Sequence, residues 1–141
     1  MKERRTIVLD CEAVQALIDP KHSKHWLAIS AVLTLTRRNK KRGEWVRLVV
    51  PTSVRVESGW DRRKPNAATI NQLRFLDAVL STRAADRAAA VRSALEVSVA
   101  DAHLAAVLED TEGPHTVLAS DRKDLGRIAG HLGLKVAIVP V

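Results

Sequence analysis

Apolar positions along this chain fall into short unbroken runs, separated by stretches where they recur every three or four residues. That is the pattern of strands alternating with helices. Thr6-Ile-Val-Leu-Asp10 is a continuous apolar run ending in a carboxylate, which suits a strand buried on both faces. Ala13, Val14, Leu17 and Ile18 predict a helix over Glu12 to Ile18, ended by Asp19-Pro20 because the residue before proline is pushed out of the α region. Trp26, Ile29 and Leu33 predict a second helix from about Ser23 to near Arg37, with Trp26 in the core. A strand over Val46 to Val50 follows, closed by Pro51, and Thr52 then stands as N-cap of a helix toward Trp60. Ile70, Leu73, Leu76 and Val79 share one helical face and predict a helix over Asn66 to Val79. Ala84 to Leu95 reads as helix by composition, leaving room for only a very short strand over Leu80 to Thr82. Ser98-Val-Ala-Asp101 has the form of a capping box, opening a helix that ends at Glu112-Gly-Pro114. A strand over His115 to Ser120, a helix over Asp121 to Gly130 and a strand over Lys135 to Val139 complete the chain.

Strands separated by helices imply an α/β fold with a parallel sheet covered on both faces. The 141 residues have room for one domain, over 1–141. Hydrophobic residues make up 46% and charged residues 28%, a globular mixture that excludes disordered and fibrous classes. The single cysteine, Cys11, forms no internal disulfide, and no apolar run approaches the roughly 18 to 20 residues of a membrane span, so a cytoplasmic protein with no membrane association is expected. Lys and Arg number 23 against 16 Asp and Glu, a formal charge of +7, which points to a polyanionic partner. With one Phe, three Trp and no Tyr, stacking platforms for bases are scarce, so basic charge has to hold a nucleic acid. Arg37, Arg38, Lys40, Lys41 and Arg42 form one basic cluster, and Arg62, Arg63 and Lys64 a second; these are the candidate phosphate contacts.

Loops leaving the carboxyl ends of parallel strands converge on one edge, where ligands bind. Asp10 and Asp121 end strands, Asp124 lies three residues on, Asp101 opens the helix before the penultimate strand, and Glu57 lies about one turn inside the helix after the second strand. Two carboxylates about 4 Å apart repel by roughly 4 kcal/mol at an effective dielectric of 20. A hard divalent cation, Mg2+ or Mn2+, relieves that repulsion. Such ions lower the pKa of a bound water and stabilise a leaving oxygen at phosphorus, which is the chemistry of phosphodiester hydrolysis.

These residues also carry a resemblance. Ile7-Val-Leu-Asp10 with Ala13 and Leu17, Val50-Pro-Thr-Ser-Val-Arg-Val-Glu57, Val99-Ala-Asp101-Ala-His-Leu, and Val117-Leu-Ala-Ser-Asp121-Arg-Lys-Asp124-Leu resemble the PIN-domain ribonucleases, most closely the VapC-like toxins of type II toxin-antitoxin pairs. The resemblance implies a three-layer α/β/α sandwich on a parallel sheet of four to five strands, and metal-dependent endonucleolytic cleavage of RNA. It assigns Asp10, Glu57, Asp101 and Asp121 as catalytic acids, with Asp10, Asp101, Asp121 and Asp124 as metal ligands. It also implies a homodimer and a cognate antitoxin. Cys11 after the first Asp, and Arg122-Lys123 between the last two, depart from the family pattern without removing a carboxylate.

Competing readings are kept beside this one. Asp101 and Asp121 also fit as helix caps. A housekeeping nuclease of the same fold, or a non-catalytic RNA-binding module, would share the sequence features, whereas an Asp-x-Asp phosphatase is disfavoured because position 12 is Glu. His22 and His25 lack the partners of a zinc site. His103 is expected on a helix surface and His115 at a strand start, with Trp60 near the pocket mouth.

Overall fold

The computed structural model describes residues 4–41 and 45–141; side chains at Arg4 and 38–41 are outside the description. Five strands, β1 (Arg4–Leu9), β2 (Trp45–Pro51), β3 (Leu76–Ala78), β4 (His115–Ala119) and β5 (Val136–Pro140), form one sheet in the order β3-β2-β1-β4-β5. Every pairing is parallel. Successive side chains of a strand alternate between faces. Ile7 and Leu9 of β1, Val50 of β2 and Leu118 of β4 therefore enter one core, and Val8, Val49, Val117 and Ala119 the other.

The first core is closed by α1 (Cys11–Ile18), α2 (His25–Lys41), α3 (Thr52–Ser58) and α4 (Ala68–Gln72). The second is closed by α5 (Thr82–Ala94), α6 (Val99–Asp110) and α7 (Arg122–Leu132). The result is the expected three-layer sandwich. Along α6 every residue from Ala102 to Leu108 is buried, as befits a helix with apolar residues all round. Among the described residues no helix is long and apolar enough to cross a membrane.

Several expectations are corrected. The second helix runs on through the basic residues to Lys41 instead of stopping near Arg37, Lys and Arg being good helix formers. Its buried stripe is His25, Ala28 and Val32, so Trp26 is 71% exposed rather than in the core, and Leu33 is exposed as well. Pro51 belongs to β2 and itself precedes α3; Thr52 is no cap, and its Oγ1 accepts from the N–H of Leu80.

The helix expected over 66–79 ends at Gln72. Arg74 takes a left-handed φ of 60°, Phe75 rather than Leu76 is buried, and Leu76–Ala78 pairs with β2. Pairing with an available sheet edge outweighs a helical stripe whose Leu76 and Val79 have nothing to pack against. His103 lies fully buried in α6 instead of on its surface.

Trp60 is also core, 3% exposed, not at the pocket mouth. Its Nε1–H donates to Asn71 Oδ1 at 3.1 Å, and the guanidinium groups of Arg62 and Arg55 lie 4.3 and 5.3 Å from its ring centre. Both arginines donate to Asp77, at 2.8 Å from Arg55 and 2.9 Å from Arg62, and so fasten the β3 edge. Trp60→Ala is expected to cost about 3–5 kcal/mol of stability, read as a lower urea midpoint, because it empties this cluster and strands Asn71.

Candidate active site

Asp10 is the residue after β1 and the N-cap of α1. Its Oδ1 accepts from the N–H of Ala13 at 2.8 Å and its Oδ2 from the N–H of Ser120 at 3.3 Å. Its own N–H donates to the carbonyl of Leu118, so the side chain is pinned where β1 and β4 end side by side. Asp10 is only 8% exposed. Burial pushes its pKa up to about 6 against the lowering influence of the two N–H donors, with Asp101 and Glu12 adding repulsion.

Asp101 lies in the first turn of α6, whose N-cap Ser98 accepts from the Asp101 N–H at 3.0 Å. Burial raises its pKa, followed by the charges of Asp124 and Glu57. Asp121 is the N-cap of α7, accepting from the N–H groups of Lys123 and Asp124 at 3.0 and 3.1 Å. Asp124 sits in the first turn of α7, and Arg127 donates to it at 3.3 Å. Glu57 extends from the last turn of α3 and is exposed.

All five acids singled out from the sequence, Asp10, Glu57, Asp101, Asp121 and Asp124, line one pocket of about 380 Å³. Cys11, Glu12, Gln15, Ser98 and Ser120 complete much of its wall. Burial, then the neighbouring Glu57, Asp10 and Asp101, push the Cys11 thiol up to about 12, so it is protonated and a poor nucleophile. Glu12 pairs with His22 at 3.1 Å.

Glu12, Gln15 and Ser120 were not singled out from the sequence. Gln15 was legible in principle, standing four residues after Cys11 on the helix that Asp10 caps and hence on one face with it. Ser120 acts through its backbone N–H, which leaves no residue-type signature.

Among the described residues, no three His, Cys, Asp or Glu side chains already stand close enough to hold a metal ion. The donor chemistry nevertheless fits one. The acids are hard oxygen donors, and burial followed by nearby carboxylates raises both Asp10, beside Asp101 and Glu12, and Asp101, beside Asp124, Glu57 and Asp121.

Among the described residues, none of the predicted phosphate contacts lines this pocket. Arg62 is engaged with Trp60, Asp77 and the carbonyl of Phe75, and Arg63 with Asp61. Arg37 and Lys64 are exposed. Arg38, Lys40 and Lys41 belong to the end of α2 by backbone, their side chains lying outside the described residues, as does Arg42 altogether.

His103 joins the elements that carry two of the acids. Its Nδ1 accepts from the N–H of Ser53 at 3.3 Å and stands 3.0 Å from Ser53 Oγ. α3 has no side-chain cap of its own, so the α6 imidazole meets one of its orphan N–H groups. Burial lowers the pKa of His103, opposed by the nearby Val79 carbonyl, which keeps the ring neutral and able to accept.

No family model matches the chain, and no curated protein sequence matches it. Among solved structures, it is similar to the crystal structure of VapBC2 from Rickettsia felis bound to a DNA fragment from their promoter. The TM-score is 0.57 and the identity 12%, over 95% of this chain and 98% of that one. A likeness at that identity speaks to architecture, and it agrees with the sheet order and layers described above: the chain has a PIN-like α/β fold.

Proposed function

We infer that this protein is a Mg2+- or Mn2+-dependent endoribonuclease of the PIN-like kind, acting as the toxin of a toxin-antitoxin pair. The observation that carries the reading is the meeting of five carboxylates from separate parts of the chain in one pocket of an otherwise positive protein. Asp10, Asp101 and Asp121 would hold the ion, with Asp124 beside them and Glu57 across the pocket. When bound, the ion supplies an activated water and neutralises charge developing at phosphorus. Asp10 is preorganised, since both its oxygens are oriented by backbone N–H groups. Asp121 is likewise oriented by two N–H groups, whereas Glu57 is exposed and keeps the rotamer freedom needed to adjust to ion and substrate.

A partner protein is favoured by large apolar side chains left in water: Trp26 and Leu27 on α2 are 71% and 56% exposed. The similar solved structure contains a VapB with its VapC, which supports an antitoxin as that partner. Arg37 and Lys64, together with Arg38, Lys40, Lys41 and Arg42, are cations proposed to draw RNA to the protein.

The purified protein is expected to cut single-stranded RNA with Mg2+ or Mn2+ and not with excess chelator. Asp10→Asn and Asp101→Asn should each lose about 100-fold or more in rate while keeping the parent's circular dichroism. Parent-like cutting by both variants would remove the pocket from the reaction, and a protein that binds RNA without cutting it would be the non-catalytic module. Expression in a bacterial host should arrest growth, with relief by the product of the neighbouring gene; growth unaffected by an active enzyme would mark a housekeeping nuclease.

Burial of Asp10 also has a consequence for stability. Its folded pKa of about 6 lies above the unfolded value near 3.8, so the folded state holds the proton more tightly. Its contribution is therefore fully present below about pH 4 and is lost as pH rises through 6, by up to about 3 kcal/mol. In chelator, the stability of the parent relative to Asp10→Asn should fall over that interval by urea unfolding. Mn2+ at pH 7.5 should raise the parent's Tm and leave that of Asp10→Asn nearly unchanged.

A further inference from the structure

Beside the acidic pocket runs a second, larger hollow of about 720 Å³, between the end of α5, the loop to α6 and the start of α7. The two share Ser98, Asp101 and Asp124 in their walls, so they adjoin at two of the acids. Its far wall carries Arg92, Ser93 and Glu96. Several arginines of α5 and α7 are already neutralised. Arg87 pairs with Glu109 and Asp110, Arg83 with Asp110, and Arg127 with Asp124. Arg92 differs: its Nε–H donates to the carbonyl of Val97 at 3.1 Å, and among the described residues it pairs with no carboxylate.

That single bond fixes the guanidinium against the loop while its two terminal amino groups keep their donors. A planar, oriented, uncompensated guanidinium suits a phosphate oxygen pair. A cation in the last helical turn also favours the α5 C-terminus, but that function needs no hollow leading from it to the acids.

We propose that this groove carries the RNA strand flanking the scissile phosphate, with Arg92 holding a phosphate adjacent to the one presented to the acidic pocket. The assignment rests on the nuclease reading for its orientation, but it makes a claim about binding alone. Glu96, in the same groove, opposes the strand by like charge and sets a limit on its affinity.

The test is fluorescence anisotropy of a labelled ten-nucleotide single-stranded RNA, titrated with full-length protein carrying Asp10→Asn, at several salt concentrations. Adding Arg92→Gln should weaken binding about 5- to 10-fold and reduce the slope of log K against log salt by about one. Arg92→Lys, which keeps the charge but not the Nε bond, should recover most of that slope, and Glu96→Gln should tighten binding. Unchanged affinity and slope in Arg92→Gln would overturn the groove assignment. So would Arg92→Lys as weak as Arg92→Gln, because the arginine would then act by holding the loop. Arg92-dependent binding by a parent protein that never cuts RNA would leave the groove standing and sink the nuclease. Cutting that needs Asp101 but binding that ignores Arg92 would do the reverse.

Discussion

A parallel sheet imposes a direction: every strand ends at the same edge, and the helices that follow begin there. In this protein that edge also gathers the acids, and the coincidence is physical. Asp10 and Asp121 are N-caps, and Asp101 and Asp124 lie in first helical turns. Each is therefore placed where orphan N–H groups and the positive end of a helix offset a negative charge. The fold can bring four carboxylates together because it surrounds them with backbone donors. Glu57 is the exception, standing at the unfavourable end of α3, and it is exposed to water instead.

The offset is incomplete at the centre. Asp10 receives two N–H groups and is still raised well above an ordinary carboxylate, because burial outweighs them. A caps-only explanation accounts for Asp121, whose exposed carboxylate satisfies two N–H groups at the mouth of α7. It does not account for Asp101, whose neighbour Ser98 already serves as the cap while its own side chain is half-buried among Asp124, Glu57 and Asp121. Natural proteins tolerate such local conflict chiefly where function requires it.

The positive charge is arranged with similar economy. Arg55 and Arg62 lie over Trp60 and converge on Asp77, securing the β3 edge, and Arg83 and Arg87 tie α5 to α6. Each such pair takes an acid along with a base, so the formal excess of +7 rests on the remaining residues and is left to meet a polyanion. His103 belongs to the same supporting layer, its ring joining α6 to α3 and so the elements bearing Asp101 and Glu57.

Local pattern alone determined the strands β1, β2, β4 and β5, the alternation with helices, and the acids at strand and helix ends. Buried parallel strands are continuous apolar runs, and caps are chemically distinctive, so both leave a trace in adjacent residues. Tertiary structure decided the rest. Leu76–Ala78 became a strand because β2 offered an edge, Trp26 and Trp60 exchanged their expected places, and His103 went inside because α6 is covered on all sides. It also decided that Asp10 meets Ser120 across 110 residues and that Arg92 shares a depression with Asp101. A helical or alternating period states which residues share a face; what that face meets depends on elements far away in the chain.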